Sequence, residues 1–232
     1  MSQKEKLVVI DGFNFLFRAY YAVRALTRSD GLPTNALYGF TQMLLKVIED
    51  VHPHYLAVAI DTPRTFRHDI YPDYKGHRKE PDEEMLQQIP LLETLVQSFG
   101  IETLKLDNYE ADDLIAACAE KFGGEVEVVI VSSDKDLMQL VNDDVYMYDT
   151  MKDLFIHAEQ VVDKFAVTPD KVIEVQSLIG DSSDNVPGVK GVGPKTAAQL
   201  IQQFGSLDNL YDNIEEVARE KLRQNLKDNK DL

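Results

Sequence analysis

The sequence is poor in cysteine and in positive charge, and it contains no long apolar run. Cys118 is the only cysteine among 232 residues, so an intrachain disulfide is excluded. Its apolar surroundings predict that the thiol is packed in the core. No stretch reaches the roughly 18 apolar residues that a transmembrane helix needs, and the N-terminus does not have the form of a signal peptide. We therefore expect a cytoplasmic protein with no membrane partner.

Basic residues are outnumbered by acidic ones. The 24 Lys and Arg face 40 Asp and Glu, which gives a formal net charge of -16. This balance argues against a protein that coats nucleic acid non-specifically. It does not exclude a local basic surface or a bound cation. The five histidines show no metal-ligand spacing, which argues against a zinc site.

Strand-like apolar runs alternate with helical patterns over the first two thirds of the chain. The predicted strands cover residues 6–11, 55–61, 101–106, 126–133 and 145–150. The predicted helices cover residues 35–51, 81–100 (which Pro90 should break), 111–124 and 135–141. This alternation predicts an α/β domain with a mostly parallel sheet, over residues 1–157. From about residue 158 only short helices are predicted, so residues 158–232 should form a helical region.

Acidic residues follow three of the predicted strands. Asp11, Asp61 and Asp134 each stand at a strand end, and the carboxyl ends of parallel strands meet at one edge of a sheet. The other acids expected near that edge are Glu110, Asp112, Asp113 and Asp136.

Two interpretations of these acids compete. For "YEADD" alone, helix capping and the helix dipole are favoured over metal binding. A helical wheel also places Asp112 off the face that Glu110 and Asp113 share. Seven carboxylates on one edge, however, would repel one another unless a cation neutralised them. Carboxylate oxygens suit hard ions such as Mg²⁺ or Mn²⁺.

The stretch "GDSSDNVPGVKGVGPKTA" (180–197) joins two acids to a glycine-rich loop. Asp181 and Asp184 are predicted members of the acidic cluster. The loop is close to a nucleotide-binding P-loop, but Pro194 separates Gly193 from Lys195, which disfavours that motif. Two alternatives stay open: a glycine hairpin whose backbone N–H groups meet a phosphate, and an ordinary tight turn between helices.

The motifs together resemble a known family. The matching segments are "VVIDGFNFLFRAYYA", "ALYGF", "AIDTPRTFRHDIYPDYKGHR", "NYEADDLIA", "VSSDKDLMQLV" and "GDSSDNVPGVKGVGPKTA". Their order and content resemble the 5′ nuclease (5′→3′ exonuclease and flap endonuclease) domain of bacterial DNA polymerase I, over almost the whole chain. The resemblance implies a PIN-like nuclease fold followed by a helix–three-turn–helix element that grips duplex DNA without reading sequence.

The resemblance also implies a two-metal site. The first ion would be held by Asp11, Asp61, Glu110 and Asp112. The second would be held by Asp112, Asp134, Asp136 and Asp181, with Asp113 and Asp184 in support. Two Mg²⁺ or Mn²⁺ ions would activate water and stabilise charge on the phosphate. In relatives a K⁺ lies in the helix–three-turn–helix element. The corresponding carbonyls belong to Leu178, Ile179, Pro187, Val189 and Val192.

Basic residues supply the expected DNA contacts. Lys75 and Arg78, predicted to share one helical face in a gateway over the metals, are the candidate catalytic cations. Tyr74 is a candidate for stacking on a splayed base. The remaining DNA-binding candidates are Arg18, Arg67, Lys190, Gly191, Gly193, Lys195 and Thr196. Without the resemblance, a solvated basic face would be the favoured interpretation.

We therefore expect a structure-specific 5′ nuclease that acts on nicked, gapped or 5′-flap DNA in replication and repair, as a bacterial monomer. Family members usually continue for some tens of residues beyond the end of this chain, so we expect a truncated chain or a domain followed by a polymerase. One rival is a non-catalytic DNA binder, which loss of the cluster acids would favour. The other is a P-loop hydrolase, which Pro194 disfavours.

Overall fold

The computed structural model describes residues 4–230, and its six strands form one sheet. The strands are β1 (Lys6–Asp11), β2 (Tyr55–Ala59), β3 (Glu102–Leu104), β4 (Glu127–Val131), β5 (Val145–Asp149) and β6 (Leu154–Ile156). Their order is β3-β2-β1-β4-β5-β6, and all neighbours are parallel except β5 and β6.

Eleven α-helices are present in the described residues. They are α1 (Gly12–Ala22), α2 (Asn35–Val51), α3 (Phe66–Ile70), α4 (Glu83–Gln88), α5 (Leu92–Ser98), α6 (Ala111–Phe122), α7 (Ala158–Phe165), α8 (Val172–Ile179), α9 (Pro194–Phe204), α10 (Leu207–Asp212) and α11 (Glu220–Asp228). None of them combines the length and the apolarity that a bilayer-spanning helix requires.

The central strands are buried on both faces. Val8, Val9 and Ile10 of β1 are fully buried, as expected for a parallel strand covered by helices on each side. On one face, α1 and α2 pack through an edge-to-face contact between Phe15 and Phe40, whose ring centroids are 5.3 Å apart. This packing fixes the carboxyl end of β1, where the first candidate acid lies.

The described chain divides into two units. One contains the chain up to Phe66 together with Lys79–His157, and so includes the whole sheet. The other contains Arg67–Arg78, here called the inserted segment, together with the chain from Ala158 onward. We had assigned the inserted segment to the first domain. The structure groups it with the second unit because it is hydrogen-bonded to residues 183–185.

Several element boundaries differ from the sequence predictions. The break at Pro90 is confirmed, since a 3₁₀ turn over Ile89–Leu91 separates α4 from α5. The predicted helix at 135–141 is a 3₁₀ helix over Asp136–Leu140. The individual elements α1, α3, α7 and β6 were not among the predictions. Cys118 is only partly buried in α6, and this burial raises the pKa of its thiol.

Candidate active site

Asp11 lies at the carboxyl end of β1 and caps the helix that follows. One carboxylate oxygen accepts the backbone N–H of Asn14 at 3.1 Å, and the other accepts the hydroxyl of Ser132 at 3.0 Å. Burial raises the pKa of Asp11 to about 7, and the neighbouring carboxylates of Asp61 and Asp134 contribute to that rise. Asp11 is therefore close enough to the other two strand-end aspartates for their carboxylates to repel it, as the sheet topology predicts.

The start of α6 brings further acids to this edge. Asp61 accepts the backbone N–H of Ala111 at 2.8 Å, which ties the end of β2 to the helix start. Glu110 and Asp113 form a capping box, in which the Glu110 N–H donates to the Asp113 carboxylate at 2.9 Å. The capping contacts that one interpretation of "YEADD" predicts are therefore present. Capping uses only part of each carboxylate's acceptor capacity.

Ser132 connects the ends of β1 and β4, and we had not singled it out. Its hydroxyl donates to Asp11 and accepts the backbone N–H of Asp134 at 3.1 Å. Asp134 in turn accepts the N–H of Asp136 at 2.9 Å. Ile10 of β1 is paired with Val131 of β4, so the next residues, Asp11 and Ser132, lie side by side. A polar residue directly after β4 was therefore the signal that could have identified Ser132.

We call the set of acids on this side of the sheet the acidic edge. It comprises Asp11, Asp61, Glu110, Asp112, Asp113, Asp134 and Asp136. Its donor atoms are carboxylate oxygens, which suit a hard divalent cation. A cation would offset the burial and the carboxylate repulsion that together raise the pKa of Asp11. Within residues 4–230, however, no three His, Cys, Asp or Glu side chains are arranged to hold a metal ion. The metal ligands stay a prediction.

The second unit carries the other two predicted acids in a loop over residues 180–193, here called the glycine loop. Asp181 and Val186 exchange two backbone hydrogen bonds, at 2.9 and 2.7 Å. The turn is very tight, because a Cβ on Gly188 would lie 2.2 Å from the carbonyl of Ile179. Gly188 is therefore required by the fold itself.

The end of the glycine loop is built differently. Gly193 precedes α9 with an extended backbone, and a Cβ there would meet no atom within 4 Å. No side chain caps α9, and Pro194 occupies its first position. The backbone N–H groups of Lys195 and Thr196 therefore lie at an uncapped helix start, which is a favourable place for a phosphate. Gly191, by contrast, has a φ of 81°, which by itself favours glycine.

Our prediction that Lys75 and Arg78 share a helical face is wrong. Helix α3 ends at Ile70, and Lys75 has a φ of 56°, which a right-handed helix does not allow. Both side chains instead reach the carboxylate of Asp184.

Tyr74 does not have a ring free for base stacking in this structure. It is only 8% exposed, its hydroxyl donates to Asp184 at 2.9 Å, and the Lys75 ammonium lies 4.9 Å from its ring centroid. Stacking on a base would require this side chain to move.

The other DNA-binding candidates have varied surroundings. Arg18 pairs with the buried carboxylate of Asp149 at 3.2 Å, a partner that we had not predicted. Arg67 is partly buried in α3, while Lys190 and Lys195 are exposed. The carbonyl of Lys190 accepts the side-chain amide of Asn225 at 2.6 Å.

Two of the carbonyls predicted to hold K⁺ already accept a hydrogen bond. The Leu178 carbonyl accepts the Val189 N–H at 2.9 Å, and the Val189 carbonyl accepts the Val192 N–H at 3.0 Å. Each carbonyl oxygen has a second lone pair, so these bonds leave the prediction open.

Comparison with known proteins identifies the family. The N-terminal resolvase-like domain of the 5′-3′ exonucleases matches residues 6–166, and their C-terminal SAM fold matches residues 167–232. This chain belongs to the 5′-3′ exonuclease family. Membership in this family confirms the resemblance that the sequence motifs indicated, and it confirms the predicted nuclease fold.

Relatives of this exonuclease family member occur alone and within longer proteins. This chain is 43% identical over 216 residues to a 5′-3′ exonuclease of Aquifex aeolicus, with 92% of this chain and 75% of the relative covered. It is 43% identical over 242 residues to DNA polymerase I of Rhizobium leguminosarum, with 100% of this chain covered. The chain spans about a quarter of that relative's length, 24%.

Solved exonuclease-family structures share the fold. The bacteriophage T5 flap endonuclease, solved as a pseudo-enzyme–product complex with DNA and metal ions, matches with a TM-score of 0.80. Sequence identity is 22%, and the match covers 97% of this chain and 84% of the phage protein. At this identity the likeness establishes the fold alone.

Proposed function

We propose that this chain is a structure-specific, divalent-metal-dependent 5′ nuclease that hydrolyses phosphodiester bonds in nicked, gapped or 5′-flap DNA. The observation that carries the proposal is the acidic edge, in a chain of the 5′-3′ exonuclease family. Burial and the neighbouring carboxylates of Asp61 and Asp134, which follow two other strands, raise the pKa of Asp11. Such an arrangement favours divalent cations.

The acidic edge would hold two ions. We assign Asp11, Asp61, Glu110 and Asp112 to the first. We assign Asp112, Asp134, Asp136 and Asp181 to the second, with Asp113 in support. When bound, the ions supply activation of the attacking water and stabilisation of charge on the phosphate oxygens. The protein's own contribution is to fix the carboxylates through the hydrogen bonds of Asn14, Ala111 and Ser132.

The glycine loop and the start of α9 would bind the duplex through its phosphates. Because Gly193 has no side chain, a phosphate can approach its backbone closely. The N–H groups at the start of α9 have no side-chain cap, and a helix start attracts anions. Lys190 and Lys195 are exposed cations on either side of this position. Such contacts hold a duplex without reading its bases.

We also propose K⁺ at the carbonyls of residues 178, 179, 187, 189 and 192.

Lys75 and Arg78 would contact the scissile phosphate. The Arg78 side chain is 53% exposed, and a guanidinium that pairs with one carboxylate keeps further donors for a phosphate. Arg18 and Arg67 are proposed as additional phosphate contacts. In the cell we expect a cytoplasmic monomer, joined in polymerase-type relatives to a polymerase domain that uses the same DNA.

Cleavage of a labelled 5′-flap duplex tests this function. We expect release of the 5′ strand in Mg²⁺, none in EDTA, and recovery when Mg²⁺ is restored in excess. A single strand of the same sequence is the matched substrate control and should be cut more slowly. Tight flap binding with no cleavage in either Mg²⁺ or Mn²⁺ would instead support a non-catalytic DNA binder.

A further inference from the structure

The carboxylate of Asp184 is surrounded by donors from the inserted segment. The Tyr74 hydroxyl donates to it at 2.9 Å, the Arg78 guanidinium pairs with it at 2.5 Å, and the Lys75 ammonium lies 3.9 Å away. The Asp184 side chain is only 18% exposed. Two cationic side chains therefore converge on one largely buried carboxylate.

Two hydrogen bonds that do not involve the Asp184 carboxylate align the inserted segment with the glycine loop. The Lys75 N–H donates to the Asp184 carbonyl at 2.9 Å. The Asn185 side-chain amide donates to the Asp73 carbonyl at 2.8 Å. These bonds survive a change of carboxylate to amide at position 184. The charge of Asp184 can therefore be altered without undoing the contact between the two segments.

The backbone of the inserted segment is held in an uncommon conformation at Lys75. Its φ of 56° lies in the left-handed region, which residues other than glycine adopt at a cost. Such a conformation persists where surrounding contacts determine it. Here the Gly76 N–H donates to the Asp73 carbonyl, and the Arg78 N–H donates to the Lys75 carbonyl, each at 3.0 Å. The turn directs both cationic side chains toward Asp184.

We propose that Asp184 is a positioning residue for Lys75 and Arg78, and that its main contribution is not to metal binding. This inference rests on the proposed nuclease function. Long cationic side chains lose conformational freedom when they bind a phosphate. A carboxylate that already holds them reduces that loss, and preorganised donors stabilise developing charge without rearrangement. The sequence motif had suggested that Asp184 supports the second metal ion.

The two roles of Asp184 predict different metal dependence. Loss of a residue that supports a metal ion raises the Mg²⁺ concentration needed for half-maximal cleavage. Loss of a positioning residue lowers the cleavage rate at saturating Mg²⁺ and leaves that midpoint in place. The positioning role also predicts that the effects of Asp184 and Lys75 are not additive, since one acts through the other.

The experiment is single-turnover cleavage of a 5′-flap duplex over a Mg²⁺ titration. The variants are Asp184→Asn, Lys75→Ala, their double variant, and Asp181→Asn as the matched acid from the same loop. We expect Asp184→Asn to cleave roughly tenfold more slowly, with the Mg²⁺ midpoint and flap affinity in Ca²⁺ changed less than threefold. Asp181→Asn should raise the midpoint. The double variant should cleave faster than the product of the two single effects predicts, because only the part of the Asp184 effect that acts through Arg78 remains when Lys75 is absent. Asp184→Glu should restore part of the rate.

A second measurement does not depend on nuclease activity. Trypsin cuts after Lys75 and Arg78, and the contacts with Asp184 should protect both bonds. We expect several-fold faster cutting there in DNA-free Asp184→Asn, with an unchanged unfolding midpoint. The proposal is overturned if the Mg²⁺ midpoint of Asp184→Asn rises tenfold, if its effect adds fully to that of Lys75→Ala, or if trypsin cutting is unchanged. Inactivity of the parent protein would instead count against the nuclease function, and the trypsin result would then decide the positioning role alone.

Discussion

The acidic edge and the glycine loop hold their candidate residues in different ways. At the acidic edge the carboxylates accept hydrogen bonds from the fold itself, as Asp11 does from Asn14 and Asp61 does from Ala111. At the end of the glycine loop, the space beside the Cα of Gly193 is empty, since a Cβ there would meet no atom within 4 Å. At the acidic edge, the same carboxylates therefore stabilise the fold and are the candidate metal ligands. In the glycine loop, different residues have the structural and the functional role, so mutations can test the two roles separately.

The largest expected effect tests the acidic edge. Asp136→Asn should lower single-turnover cleavage of a 5′-flap duplex by about 10³-fold, since it removes charge from the proposed second metal site. The hydrogen bond from Asp136 to Asp134 uses the backbone N–H, so the fold should be retained. Asp143→Asn, an exposed acid of the same unit, is the control and should cleave like the parent. Cleavage by Asp136→Asn within tenfold of the parent would remove Asp136 from the proposed site.

The next effect tests whether the glycine loop contains a purely structural position. Gly188→Ala places a Cβ 2.2 Å from the Ile179 carbonyl, and overpacking of this kind costs about 3 kcal/mol. The free energy of unfolding in urea should fall by that amount with an unchanged denaturant slope. A loss below about 0.5 kcal/mol would show that the loop rearranges freely.

Gly193 sharpens the comparison, because stability and binding should change in opposite directions. Gly193→Ser supplies a good N-cap for α9 and should raise the free energy of unfolding by a few tenths of a kcal/mol. The same hydroxyl occupies backbone N–H groups that we assign to a phosphate. Duplex affinity in Ca²⁺ should fall about tenfold, which corresponds to ~1.4 kcal/mol. Unchanged affinity would make this end of the loop an ordinary turn between helices.

The smallest effect concerns the charge beside that turn. Lys195→Ala should reduce the slope of log affinity against log salt by about 0.9, the value for loss of one phosphate contact. Lys121→Ala, an exposed lysine at the end of α6, should leave the slope unchanged. If both variants behave like the parent, Lys195 is a solvated surface residue.

Local patterns predicted the elements that local forces determine. The helix over 35–51 has the predicted bounds, and Pro90 breaks the following helix because it cannot donate a backbone hydrogen bond. The strand-end aspartates were predictable because parallel strands place their carboxyl ends together. In contrast, β6 has three residues, two of them exposed, which is too short for an alternation pattern to indicate a strand.

Features that depend on distant partners were not predictable from local patterns. The left-handed turn at Lys75 includes a hydrogen bond from its backbone N–H to the carbonyl of Asp184, more than a hundred positions away. Helical spacing predicted that Lys75 and Arg78 share one face of a helix. In the structure a non-helical turn brings both side chains to Asp184 instead. The pairing of Arg18 with Asp149 is likewise set by tertiary structure.

The grouping of the inserted segment with the second unit has a consequence for folding order. During synthesis, Arg67–Arg78 is complete about a hundred residues before Asp184 exists to pair with it. Closing so long a loop is entropically costly, and contacts of high sequence separation form slowly. The sheet is completed by β6 at Ile156, before the last helices are made. A nascent chain therefore carries Lys75 and Arg78 without their carboxylate partner until the glycine loop has been synthesised.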